Sequence, residues 1–209
     1  SAFLTGAVFA LGFYSYIAYR ILVPVISVLI LWPWLANGFV DSIKKWWKQL
    51  LIFVFAFLIF IWPLAKYFYT HPGSFVGRSG QVSIFNPDIN QGDVIGVAAQ
   101  VFWLSLKAYF TDGDLNWRHN ISGFPFLSPL ISPFFGVSLV AITFLAAWYF
   151  INPRKKAGWW KYAVFAGGFW GMLLPVITTA EGIPHGLRAI GTIPSVFIIS
   201  ALGLYKAGE

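Results

Sequence analysis

The stretch DGDLNWRHN (112–120) sets two carboxylates, Asp112 and Asp114, beside the amide of Asn116, the guanidinium of Arg118 and the imidazole of His119. Acids, a fork-shaped cation and a ring base in one short segment suit recognition of hydroxyls and phosphate. The alternation Asp112, Asp114, Asn116 also matches the opening of an EF-hand calcium loop, but the match stops there. Trp117 stands where that loop needs glycine, and Gly123 stands where it needs the bidentate glutamate. Calcium by that route is excluded, and the residues assign no other metal set. The bland alternative is a self-paired polar turn, with Asp114 bonded to Arg118.

Three further segments carry chemistry. In YTHPGSFVGRSGQVS (69–83), His71 precedes a Pro-Gly turn, and Gly77 and Gly80 flank Arg78, so that backbone and guanidinium can both approach a phosphate. In AEGIPHGLRAIG (180–191), Glu181, His185 and Arg188 crowd a link that a simple turn would leave neutral. In GFYSYIAYR (12–20), three tyrosines and Arg20 fit either interfacial anchoring or an anionic ligand. No Ser-His-Asp order, HExxH or Walker loop occurs, so any catalysis is acid–base and electrostatic.

These residues sit in an oily chain. It is 58% hydrophobic, 20% aromatic and only 10% charged over 209 residues. Soluble domains carry about 25% charged residues, so a water-facing surface of ordinary composition is out of reach and a membrane protein is expected. The net charge of +7 reads as positive residues retained on the cytoplasmic side; no basic run exceeds three residues, and nucleic acid is not an expected partner. The absence of cysteine excludes disulfides, thiolate metal sites and a cysteine nucleophile. The chain opens at Ser1 directly in apolar sequence and reads as a fragment lacking its beginning.

Apolar runs predict an all-α, polytopic helical bundle in a single domain, with six spans at about 2–19, 21–39, 50–68, 130–151, 160–178 and 188–205. The long loop 69–129 holds an apolar segment at 94–110, expected to lie in the interface. The basic stretches 41–49 and 152–161, with tryptophan pairs 46–47 and 159–160, mark the cytoplasmic side, where both termini also fall. All three histidines and five of the seven acids (Asp88, Asp93, Asp112, Asp114, Glu181) then lie outside. Sidedness used only Lys and Arg, so this sorting points independently to an external polar site.

Taken in order, GFYSYIAYR (12–20), THPGSFVGRSGQVS (70–83), GDLNWRHNISGFPFLSP (113–129) and EGIPHGLRAIGTIP (181–194) resemble the C-type (GT-C) glycosyltransferases. The likeness is to the bacterial lipid-carrier-dependent group related to protein O-mannosyltransferases and aminoarabinose transferases. It implies an inverting membrane enzyme that passes a sugar from a polyprenyl-phosphate sugar to a protein, lipid or glycan acceptor. Transfer would occur on the external face of the cytoplasmic membrane. In that family the base is an acid in the first external loop. Here no acid precedes Asp41, which falls in a cytoplasmic stretch. The resemblance therefore implies the C-terminal part of the membrane domain, inactive by itself, with Asp112 and Asp114 as weak substitutes for the base. Arg78, Arg118, Arg188, His71 and His185 are the phosphate candidates; Asp112, Asp114 and Asn116 are the hydroxyl candidates, with His119 and Glu181 beside them. Divalent-metal use is left open. Two other classes fit the spans, a transporter or flippase component and a non-enzymatic scaffold. Charge-poor span interiors and the lack of a repeat argue against the first. The one-sided histidines argue against the second.

Overall fold

The computed structural model describes residues 1–152 and 160–209, which are all-helical apart from an isolated antiparallel bridge between Ser83 and Thr179. Arg154, Lys155, Lys156 and Trp159, used above for sidedness, lie outside the described residues. The helices are α1 (Ala2–Gly12), α2 (Leu22–Asn37), α3 (Phe39–Thr70), α4 (Pro72–Gln81), α5 (Pro87–Asn90), α6 (Val94–Lys107), α7 (Ser132–Ile151), α8 (Trp160–Ile177), α9 (Gly186–Ala189) and α10 (Ile193–Ala207). The chain divides into two compact units, Ser1–Gly77 and Arg78–Glu209; their boundary falls inside α4, where Gly77 leaves helical geometry at φ 31°, ψ −129°.

In the first unit α1 packs along α3 through a face of small residues, Gly6, Ala7 and Ala10, with Ala56 of α3 fully buried. Small side chains let two backbones approach closely, the usual basis of helix pairing in apolar surroundings. An aromatic group follows: Phe9 of α1 and Phe13, just past its end, meet Phe57 of α3 and Tyr19 at ring separations of 5.5–5.9 Å. Pro63 lies inside α3 and cannot donate to the helix ladder. One residue later, the Tyr14 hydroxyl accepts from the Leu64 amide (3.2 Å) and donates to the Phe60 carbonyl (2.8 Å), bridging the turn that the proline loosens. Arg20 donates to the Phe75 carbonyl (2.7 Å), and its guanidinium lies over the Phe68 and Phe75 rings, at 5.0 and 4.4 Å.

Two expected boundaries change in this unit. The span 2–19 is not one helix: α1 stops at Gly12, a turn follows, and Ile17–Ile21 forms a separate 3₁₀ helix. An apolar run marks a preference for burial and carries no stop signal of its own. The basic stretch 41–49 is no loop; it forms the first turns of α3, because Lys, Gln and Trp offer no break in the helix. At 32 residues α3 is about 48 Å long, at 1.5 Å per residue, and its apolar part has a mean hydropathy of 2.2 while almost none of it is buried.

In the second unit α7, α8 and α10 pack together, and α6 lies against α8. Phe135, Phe169, Leu173, Ile199 and Val101 are fully buried at the centre. Phe102 of α6 stacks on Trp170 of α8, whose indole N–H donates to Thr143 of α7 (2.9 Å). α7 and α8 agree with the expected 130–151 and 160–178. The expected 188–205 is a composite: α9, a 3₁₀ turn (Ile190–Thr192) and α10 run from Gly186 to Ala207, long and apolar enough to cross a membrane, as is α3. Segment 94–110 is helical only to Lys107. There the chain turns back, and Phe126 N–H donates to the Ala108 carbonyl (2.8 Å).

Candidate functional site

The stretch after α6 closes on itself. Gly113 N–H donates to the Gly123 carbonyl (3.3 Å) and Gly123 N–H to the Asp114 carbonyl (3.1 Å), so that 114–122 forms a ring. Gly113 permits this closure. A Cβ there would stand 1.8 Å from the Phe124 carbonyl oxygen, a backbone atom that cannot move aside. Across the ring the Asn120 amide donates to the Phe124 carbonyl (2.5 Å) and the Ser122 hydroxyl to the Leu115 carbonyl (2.8 Å).

Inside the ring, two side chains in succession accept from backbone N–H groups two residues ahead. Asp114 Oδ1 takes Asn116 N–H (2.7 Å) and Asn116 Oδ1 takes Arg118 N–H (3.1 Å). Such Asx turns are what Asp and Asn do best in loops. Two of the three alternating oxygens that give DGDLN its likeness to a calcium loop, those of Asp114 and Asn116, are turned onto the chain's own amides. The consequence is placement. His119 is carried back over Asp114, its Nδ1 3.2 Å from Oδ2.

The second wall descends from α8. The Thr178 and Thr179 hydroxyls donate to the carbonyls of Leu174 and Pro175. Backbone bonds from Ile84 N–H to the Thr178 carbonyl and from Ala180 N–H to the Val82 carbonyl then tie this end to the segment after α4. The chain passes Gly182 and a cis Ile183–Pro184 bond before extending at His185 into α9. Gly186 N–H donates to Asp114 Oδ2 (2.8 Å). A Cβ on Gly186 would meet His119 Cβ and Asp114 Oδ2 at 3.3–3.4 Å, so glycine gives the two loops their close approach.

Asp114 thus stands at the join, 4% exposed, accepting from both loops. Burial opposes its ionisation, but the amides of Asn116 and Gly186 and the His119 ring outweigh that and hold its carboxyl below the usual range. The His119 and His185 rings stack at 4.9 Å. Burial, followed by the nearby Arg188 charge, pushes His185 below the ordinary histidine range, so its ring is neutral near pH 7. Its Nδ1 is buried without a hydrogen-bond partner among the described residues. Arg188 is largely buried and donates to the Glu181 carbonyl (2.7 Å) and carboxylate (3.0 Å), tying the link into a closed turn.

A cleft of about 230 Å³ opens beside this cluster. His119 and Asn120 are among its polar lining residues, and Phe126, Leu127, Ile193 and Phe197 among its apolar ones. Beneath it the buried Tyr109 hydroxyl donates to Thr192 Oγ1 (2.7 Å), which donates in turn to the Ala189 carbonyl (2.6 Å). This chain joins the end of α6 to the start of α10.

The expected site residues therefore separate. Asp114, His119 and His185 come together, with Arg188 and Glu181 alongside. Asp112 points away, paired with Lys107 at 2.5 Å and with Thr111. Asn116 serves the loop backbone, and exposed Arg118 lies 6.0 Å over Trp117, so the expected Asp114–Arg118 pair gives way to Asp114–His119. His71 belongs to the first unit, stacked on Tyr67 and bonded to Thr70 Oγ1 (2.9 Å). Arg78 follows the kink in α4, and its side chain is outside the described set. Gly186 and the Tyr109–Thr192 pair went unmarked in the sequence. A glycine directly after His185 was the available sign for the first; the pair carries no local signal.

A scan against protein-family models, a search of curated proteins and a search of solved structures each return no match.

Proposed function

We propose that the chain belongs to the membrane domain of a glycosyltransferase. It would move a sugar from a polyprenyl-phosphate sugar to a protein, lipid or glycan acceptor at the external face of the cytoplasmic membrane. One observation carries the reading. Two motifs far apart in sequence, DLNWRH and GIPHGLR, converge on a shared carboxylate beside a cleft lined by both polar and apolar residues. The exposed apolar length of α3 supports a lipid surrounding, since large apolar patches facing water are rare. The six-span topology, with basic segments inside and the histidines outside, belongs to the same proposal.

Sugar transfer from a lipid phosphate places growing negative charge on the leaving phosphate. Fixed cations in a site shielded from water stabilise that charge without reorganising. Arg188, held by Glu181 on one side, is the proposed cation, and Arg78 is its expected companion. Asp114 fixes His119, a lining residue of the cleft, where donor or acceptor hydroxyls would arrive.

The test is turnover of a radiolabelled polyprenyl-phosphate sugar in native membranes containing the protein. Arg188→Ala should lower turnover about 100-fold or more, the scale for removing one charge-stabilising donor. Arg188→Lys should retain a part of it. Turnover unchanged in both variants, at equal protein level, would refute the phosphate role.

A further inference from the structure

We infer that Asp114, His119 and His185 form a binding site for a divalent transition metal of the zinc class. One donor atom from each residue lies within 4.8 Å of the other two. Zinc bonds of about 2.0–2.1 Å in tetrahedral array place neighbouring ligand atoms about 3.3 Å apart. The Asp114 Oδ2–His119 Nδ1 edge, at 3.2 Å, already has that spacing. A metal would take the place of the proton these two atoms share.

The remaining edges need one ring to close inwards. His185 would supply that motion: its buried Nδ1 has no hydrogen-bond partner among the described residues. A buried ring nitrogen without a partner is costly, and a metal bond would relieve it. The carboxylate is meanwhile braced from behind. Asn116 N–H holds Oδ1 and Gly186 N–H holds Oδ2, the kind of outer support that orients metal ligands. Two imidazoles and one carboxylate favour zinc and its neighbours over calcium or magnesium, which prefer oxygen-only sets. Three protein ligands would leave a fourth position for water, and one of the three, His119, also lines the cleft.

This site rests on the cluster's geometry and stands apart from the transferase reading. Its test uses the full chain purified in detergent, stripped with chelator and titrated with Zn²⁺ by calorimetry. Co²⁺ serves as a coloured reporter of tetrahedral coordination. We expect one Zn²⁺ per chain and a visible Co²⁺ spectrum displaced by Zn²⁺, with no saturable binding of Mg²⁺. His119→Gln and His185→Gln should each weaken Zn²⁺ about 100-fold or more, since even loss of a supporting partner costs 10–100-fold. His71→Gln, which changes the remaining histidine, should bind as the parent does. X-ray absorption on the unmutated Zn²⁺ complex needs no variant to fold and should show two imidazoles in the metal shell. Absence of saturable Zn²⁺ binding, unchanged affinity in both histidine variants, or fewer than two imidazoles would overturn the site.

Discussion

Asp114→Ala offers the sharpest perturbation of the second unit, because a single carboxylate serves donors from two loops. It removes the acceptor for Gly186 N–H (2.8 Å), for Asn116 N–H (2.7 Å) and for the His119 ring (3.2 Å). Neither backbone amide has another acceptor among the described residues. A hydrogen bond to a charged group contributes about 1.5–3 kcal/mol, and an orphaned buried donor costs a similar amount. At about 1.4 kcal/mol per tenfold, the Gly186 amide should exchange its hydrogen about 10- to 150-fold faster in the variant. The Asn116 amide should follow it, since both depend on the same group. Hydrogen exchange read by mass spectrometry on the protein in nanodiscs resolves peptides covering 114–119 and 185–189. Asp112→Ala is the matched control: Asp112 is exposed and bonded to Lys107 and Thr111, so neither peptide should change. Unaltered protection at Gly186 in Asp114→Ala would refute the claim that this carboxylate joins the loops.

Two other predictions concern local construction. Gly113→Ala drives a Cβ against the Phe124 carbonyl and the Asn120 amide. At about 1–3 kcal/mol for overpacking, proteolytic cutting within 113–124 should quicken about 5- to 150-fold, and an unchanged rate would contradict the closed ring. Tyr14→Phe removes the hydroxyl bridging Phe60 and Leu64. The loss of about 0.5–1.5 kcal/mol should speed exchange of the Leu64 amide about 2- to 10-fold, and no change there would sink the bridging role.

Helix positions were legible wherever an apolar run ended at a breaker. Asn152 and Pro153 follow α7, and its end was placed correctly. Apolarity alone failed at residues 13–16, where FYSY turns the chain while staying oily, and at 41–49, where a polar segment continues a helix. Hydropathy reports the solvent a segment prefers; helix continuity depends on breakers and caps. At the site, residue types were informative but pairings were not. Asp114 and Arg118, four apart, suggested each other, yet the Asx turn at 114–116 swings His119 onto the carboxylate first. The bond from Gly186 could not be read locally, because its partner lies on another loop.

The Tyr14 hydroxyl has a mechanical consequence. Gly6 lies so close to α3 that a Cβ in its place would stand 2.3 Å from the Phe53 carbonyl oxygen, so a slide of α1 by one 5.4 Å turn, which brings Ala10 there, is blocked. The one hydroxyl lodged beside Pro63 has no equivalent a turn away. It acts as a polar index pin, adding a second stop to the one that the close fit of Gly6 already sets.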